Sequence, residues 1–173
     1  MNLSAVKIET ERLLLVPVSE KYREDIFHEF SDEITKYMYP KSAECIEETD
    51  EFIQSAKKEM ELGTDINFTV LNGVTKEFLG GGGIHKLNTQ HPEFGIWIKK
   101  SAHGNKYGQE VVKAIKVWLD NNTDYEYITY PCDRRNMASC KVAESLGGKI
   151  YKEYKEKNII GFELDEVEYK ITK

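Results

Sequence analysis

"EFGIWIKKSAHGNKYGQEVVKAIKVWLD", residues 93–120, is the stretch on which the fold turns. Its first eight residues read as a strand with a central Gly95. From Tyr107 to Asp120 the apolar residues Val111, Ala114, Ile115 and Trp118 recur at helical spacing. Between them lies a short loop that carries His103, Gly104, Asn105, Lys106 and Gly108. A helix start presents unpaired N–H groups and the positive end of the helix dipole, so it favours negative charge. Glycine tolerates positive φ and lets a ligand come near the backbone. A diphosphate suits such a loop. An ordinary strand-to-helix turn explains it equally well, and "HGNKYG" alone leaves the two level. The loop is not a P-loop, since no Gly-Lys-Ser/Thr follows at the required spacing, and it lacks the GxGxxG order of dinucleotide-binding turns.

Outward from this unit the pattern alternates with period two. "INFTVL" (66–71) and "FLGGGGIHKL" (78–87) read as strands joined by the turn "NGVTKE". Gly80 to Gly83 interrupt the second strand and point to a bulge where something approaches the backbone closely. A nucleotide loop is disfavoured there because no helix follows. Upstream, "RLLLVPV" (12–18) is a strand, and residues 19–30 form a helix with Tyr22, Ile26, Phe27 and Phe30 on one face. "SDEITKYMYP" is a second short helix ending before Pro40. "SAECIEETDEFIQSAKKEMELG" is a longer helix stopped by Gly63, with Cys45, Phe52, Ile53 and Met60 expected on its buried side. Downstream come a strand over 125–131, a helix from about Asn136 to Leu146 ended by Gly147 and Gly148, and two closing strands able to pair as a hairpin. The order is β, helices, β, β, β, α, β, α, β, β: a mostly antiparallel sheet interrupted by a βαβ crossover.

Composition narrows the class. The 173 residues suit one domain over 1–173 and can bury a core without disulfides or metal. The formal net charge of −6 argues against a broad nucleic-acid face. No apolar run is long enough to span a bilayer and "MNLSAVKIETE" has no leader-like pattern, so a cytoplasmic protein is expected. Cys45, Cys132 and Cys140 are widely spaced and odd in number, which suggests neither a zinc site nor a disulfide framework. Cys132 and Cys140 read as small apolar residues rather than nucleophiles. The histidines at 28, 85, 91 and 103 are scattered and read as surface positions, so no metal is expected.

Context decides between the two readings of the loop. "TERLLLVPV", "FSDEITKYMYP", "EFGIWIKKSAHGNKYGQEVV" and "NMASCKVAESLGGKIYKE" together resemble the GNAT N-acetyltransferases, in particular their RimJ/RimL-like branch, over nearly the whole chain. The family loop is usually Gln/Arg-x-x-Gly-x-Gly/Ala. Here His103 holds the first position, Lys106 stands where the family has its first glycine, and Gly108 is the last. The resemblance implies an α+β fold: a mixed, mostly antiparallel sheet of six to seven strands with a central splayed parallel pair, flanked by helices on both faces. It also implies acetyl-CoA as co-substrate. The pyrophosphate would lie on the backbone of His103, Gly104, Asn105, Lys106, Tyr107 and Gly108, and the pantetheine arm would run along Ile96, Trp97 and Ile98. Asn136 would contact the same arm, and Ser139 matches a serine common in the branch. Asn136 is also a good helix cap and Ser139 a good first-turn residue. Where many GNAT enzymes carry a tyrosine, this chain has Ala143.

Acetyl transfer to an amine requires a neutral nitrogen, a stabilised carbonyl oxygen and a protonated leaving thiol. Backbone N–H groups over 96–98 are the expected oxygen donors, Glu93 the expected base, directly or through water, and Ser139 the expected acid or relay. Tyr107, Tyr130 and Tyr151 are further candidate acids. The acceptor is a primary amine, on a protein N-terminus or a small molecule, attacked directly in a ternary complex by a monomer or homodimer. Two alternatives stand beside this: a CoA-binding or sensing module without turnover, and an assembly or interaction domain using the acidic helix near 44–62. Acceptor choice is expected to lie in residues 20–62 and 156–164.

Overall fold

A computed structural model describes residues 3–173; Met1 and Asn2, part of the expected domain, lie outside the described residues. Eight strands form one sheet: β1 (Ile8–Glu9), β2 (Leu13–Pro17), β3 (Ile66–Asn72), β4 (Phe78–His85), β5 (Glu93–Ile98), β6 (Tyr127–Asp133), β7 (Lys149–Lys157) and β8 (Glu163–Thr172). Their spatial order is β1-β2-β3-β4-β5-β6-β8-β7. Every neighbouring pair is antiparallel except β5 and β6. The strand beyond the expected six to seven is β1, a two-residue element paired to β2, too short to leave a periodic signature.

Five helices cover the sheet: α1 (Arg23–Glu29), α2 (Asp32–Thr35), α3 (Ile46–Leu62), α4 (Tyr107–Asn122) and α5 (Met137–Ser145). The glycines of β4 show which helices take which face. A Cβ on Gly82 would meet Val111 and Ile115 of α4 at 3.0 and 3.5 Å, whereas one on Gly81 would meet the Trp97 indole at 2.6 Å. That indole packs against Phe30, which follows α1. So α4 and α5 lie on one face, and α1 and α3 on the other.

The buried stripe of α3 is Thr49, Ile53, Ala56 and Met60, spaced 4, 3 and 4. Two expected core residues fall off it. Cys45 precedes the first turn and is exposed, and Phe52, one residue off the stripe, is 44% exposed. In α4 the buried residues are Val111, Val112, Ile115 and Leu119, with Ala114 and Trp118 half-buried at the edge of the stripe. The expected short helix before Pro40 is the four-residue α2. The bulge expected in the glycine run lies at Leu79 and Gly80, where Val70 pairs with Gly80 but Leu71 with Phe78. The group that comes close there is the sheet's own backbone: a Cβ on Gly80 would collide with the Trp97 carbonyl oxygen.

Candidate active site

The loop before α4 is built to leave its amides free. Lys106, the N-cap of α4, sits at φ 60°, ψ 21°, and Gly104 at φ 83°. Lys106 thus takes up the left-handed backbone that glycine adopts without cost, at about 1 kcal/mol for a residue with a Cβ. Gly108 lies inside the first helical turn. Its lack of a side chain admits Val142 of α5, 3.4 Å from where a Cβ would be. Among the described residues, no acceptor of the chain takes the N–H groups of residues 104–109; the first bonded amide is Glu110 N–H to Lys106 carbonyl O. The loop is clasped from behind. Arg12 donates to the Asn105 carbonyl O at 3.2 Å and to Glu110 at 2.7 Å, while its guanidinium lies 4.7 Å above the Tyr107 ring. The His103 ring lies 2.7 Å from the Ile98 carbonyl O; a carbonyl only accepts, so Nε2 carries the proton.

Beside the loop the sheet splits. β5 and β6 register at one pair, Glu93 with Thr129, where Thr129 N–H donates to the Pro92 carbonyl O at 2.9 Å. The next β6 residue to face β5 is Pro131, which has no N–H, so the ladder stops there. On β5, Lys99 N–H donates to Leu79 of the β4 side at 2.8 Å, so odd-numbered residues turn their amides to β4. The amides of Ile96 and Ile98 therefore face the gap, and that of Trp97 is spent on β4. The gap opens into a cleft of about 810 Å³ lined by the loop, by Ile96 and Ile98, by Asn136 and Ser139 of α5's start, and by Glu93, Tyr154, Glu156 and Glu166. Asn136 Oδ1 accepts from Ser139 N–H at 3.2 Å, capping α5. Ser139 Oγ lies 3.0 Å from the hydroxyl of buried Tyr130. Burial pushes the Tyr130 phenol well above its ordinary range, so it holds its proton.

A free row of amides at a helix start, opening on a prised-apart parallel pair, is the arrangement that comparison with known proteins bears on. A family model described as "Acetyltransferase (GNAT) domain" matches residues 12–149. The chain belongs to the GNAT acetyltransferase family. A protein of Bacillus subtilis (strain 168) named "Uncharacterized N-acetyltransferase YoaA" is 31% identical over 111 residues, 62% of this chain and 63% of that relative's length. Among solved structures, a GNAT-family acetyltransferase from Bacillus anthracis superposes with a TM-score of 0.82 at 23% identity, covering 96% of this chain and 98% of that one. RimL, titled a ribosomal L7/L12 alpha-N-protein acetyltransferase in complex with coenzyme A, superposes at 0.85 and 16% identity, covering 96% and 98%. These likenesses establish a shared fold.

Within this GNAT domain the cleft gathers most positions marked in the sequence: Glu93, Ile96, Trp97, Ile98, His103, Gly104, Lys106, Tyr107, Gly108, Asn136 and Ser139 line it. Asn105 does not: its carbonyl O accepts from Arg12, and its side-chain amide donates to the Ala102 and His103 carbonyls behind the loop. Cys132 also lines it, with its Sγ 3.6 Å from that of Cys140; burial raises its thiol far above the usual range and keeps it protonated. Tyr151 lies outside the cleft lining, on an exposed strand, bonded to Glu168.

Three features were not read from the sequence. Arg12 clasps the loop from 93 residues away. His85 is half-buried rather than a plain surface residue, paired through Nδ1 with Asp65 at 2.9 Å. It lines both the cleft and a second cavity of about 340 Å³. That cavity lies under α1 and α3 with Gly81, Gly83 and Gly95 as its floor and Phe30, Phe52, Phe68 and Trp97 among its walls. It meets the cleft at Gly95, Ile96, Trp97 and His85. Third, the two segments expected to choose the acceptor touch above the cleft. Asn158 donates to the Met38 carbonyl O at 3.4 Å, and Ile159 N–H to that of Tyr39 at 3.3 Å. Arg135, held by fully buried Asp133, stacks between Tyr37 and Phe162 at 5.0 and 5.1 Å. Burial alone would raise Asp133; the Arg135 guanidinium and the amides of Asp165 and Arg135 outweigh it and hold the carboxyl below its ordinary value.

Proposed function

We propose that this chain is an acetyl-CoA-dependent N-acetyltransferase, a single domain over residues 1–173, acting on a primary amine by direct attack in a ternary complex. The observation that carries this is the row of unpartnered amides over 104–109 at the end of a cleft that meets a second, glycine-floored cavity. The fit to the donor is chemical. Free N–H groups at a helix start suit a diphosphate, with Lys106 adding charge. The free edge of β5 suits the amides of a pantetheine arm. Acetyl-CoA, when bound, supplies an acyl group already activated as a thioester.

The rest belongs to the chain. The Ile96 and Ile98 amides, fixed by the sheet, are placed to hold an acyl oxygen as it gains charge. Ser139, backed by the protonated Tyr130 hydroxyl 3.0 Å away, is placed to return a proton to sulfur, the task that a tyrosine at Ala143 would otherwise perform. Glu93, paired with Lys86 at 2.6 Å, lines the same cleft. The cavity beneath α1 and α3 receives the acceptor, whose amine meets the donor at Gly95 to Trp97. Small amines and protein N-termini both fit this account, the latter in keeping with the named substrate of RimL. Calorimetry tests the donor: acetyl-CoA is expected to bind, and no heat at millimolar ligand removes the proposal. Thiol release with a panel of amines separates an enzyme from a CoA-sensing module, which would bind acetyl-CoA and turn over nothing.

A further inference from the structure

Glu166 stands on β8 opposite Asp133 of β6 and Tyr154 of β7 and lines the cleft. It is only 5% exposed, and among the described residues its Oε2 has no hydrogen-bond partner. A buried carboxyl oxygen left unpaired is costly, and most buried polar atoms avoid it. The cation near it, Arg135, is already taken by Asp133 at 2.5 Å. The groups around it are Glu93 of β5, Asp133 and Arg135 at the end of β6, and Tyr154 and Glu156 of β7. Three of these are carboxylates and one is a cation.

We propose that Glu166 is the general base of the acetyl transfer, its Oε2 taking the proton that the incoming ammonium must lose. The assignment rests on the acetyltransferase reading of the cleft. An alkylamine arrives protonated, with an ordinary pKa around 10, and a carboxylate stabilised by a cation is a weak acceptor for its proton. Glu93 is already engaged, accepting from Lys86 Nζ at 2.6 Å. Glu166 is the opposite case: burial first, then Glu156, Asp133 and Glu93, raise it to about 7 against the opposing pull of Arg135. The two carboxylates differ in what holds them: Glu93 accepts from Lys86 at 2.6 Å, whereas among the described residues Glu166 Oε2 has no partner. Glu166 removes the proton. The nitrogen lone pair then bonds to the acetyl carbon as the carbon–sulfur bond breaks; the second proton that nitrogen sheds passes by way of Ser139 to the leaving sulfur, and Glu166 returns the first to solvent, so that ammonium and thioester give amide, thiol and one released proton. The acceptor class that follows is an amine that enters as a cation.

The test begins without substrate. Carboxyl carbons of ¹³C-glutamate-labelled protein are followed from pH 4 to 9. One resonance is expected to titrate near 7 and to vanish in Glu166→Gln. If every glutamate carboxyl titrates below about 5.5, the proposal falls. Turnover is then measured by thiol release with spermidine and a serine-initiated peptide as acceptors. Glu166→Gln is expected to lower kcat at least tenfold, to flatten the rise of kcat/KM with pH around 7, and to leave the Kd for acetyl-CoA within twofold. Glu166→Asp recovers part of the rate, and Glu93→Gln keeps the pH limb while raising the acceptor KM. Wild-type turnover matched by Glu166→Gln overturns the base assignment alone. Absence of wild-type turnover on these and a wider amine panel overturns the acetyltransferase reading and the base assignment with it.

Discussion

Replacing Glu166 by Gln should change how stability depends on pH, by an amount the structure sets. The folded-state carboxyl lies at about 7, and its ordinary value is 4.5. The folded protein therefore holds this proton more tightly than the unfolded chain does. Its contribution is fully present below about pH 4.5, declines as pH rises, and is gone above about pH 7. The gap corresponds to about 3 kcal/mol, at roughly 1.4 kcal/mol for each tenfold change in proton affinity. Glutamine carries no such proton. Relative to wild type, Glu166→Gln should gain about 3 kcal/mol between pH 4.5 and pH 8, whatever its offset at low pH. For a chain of this length that is a relative Tm gain of about 6 to 12 °C. Thermal unfolding of both proteins in matched buffers at half-unit steps reads it directly. Other titrating groups are common to both and cancel. Two parallel curves, with a difference constant to within about 0.5 kcal/mol from pH 5 to 8, would falsify the account of Glu166 as a desolvated, unpaired carboxyl.

The loop, its clasp and the glycine of β4 that α4 packs on set further outcomes. Lys106→Gly should relieve the left-handed backbone and raise stability by about 0.5 kcal/mol, the strain removed being partly offset by the entropy of a new glycine; an unchanged or lower Tm counts against it. Gly104→Ala meets no atom of the described residues within 4 Å of its new Cβ but keeps φ 83°, so it should cost about 1 kcal/mol of stability while leaving acetyl-CoA affinity within a few-fold, whereas Gly104→Asp should abolish binding in calorimetry. Arg12→Ala removes both the Glu110 pair and the clasp on Asn105 and should weaken acetyl-CoA binding about tenfold with the melting curve moved by only a few degrees. Gly82→Ala presses a methyl to 3.0 Å from Val111 and 3.1 Å from Ile96 and should cost about 1 to 3 kcal/mol in denaturant unfolding.

The sequence by itself determined the elements and their order. Period-two runs, the amphipathic helices and the glycine stops are local signals, and local hydrogen bonding and side-chain spacing suffice to write them. It also determined the loop of 103–108, because the residues that surround one helix start lie close in the chain; Asn136 and Ser139, at the start of another helix, came only through the resemblance. Burial was less legible. Phe52 looks like core by composition, yet it stands one residue off the α3 stripe and walls a cavity instead.

Only the tertiary structure decided what depends on register and on distant partners. Pro131 is visible in the sequence, but that its missing N–H ends the β5–β6 ladder needs the pairing of Glu93 with Thr129. Arg12 is one arginine among many until β2 brings it to Asn105 and Glu110. Glu166 sits in a run of acidic residues that reads as an ordinary strand, and its character comes from burial beside carboxylates carried by three other strands. Desolvation and Coulomb interaction act through space over a few ångströms, and chain positions as far apart as Glu93 and Glu166 share that space only because the sheet folds them together.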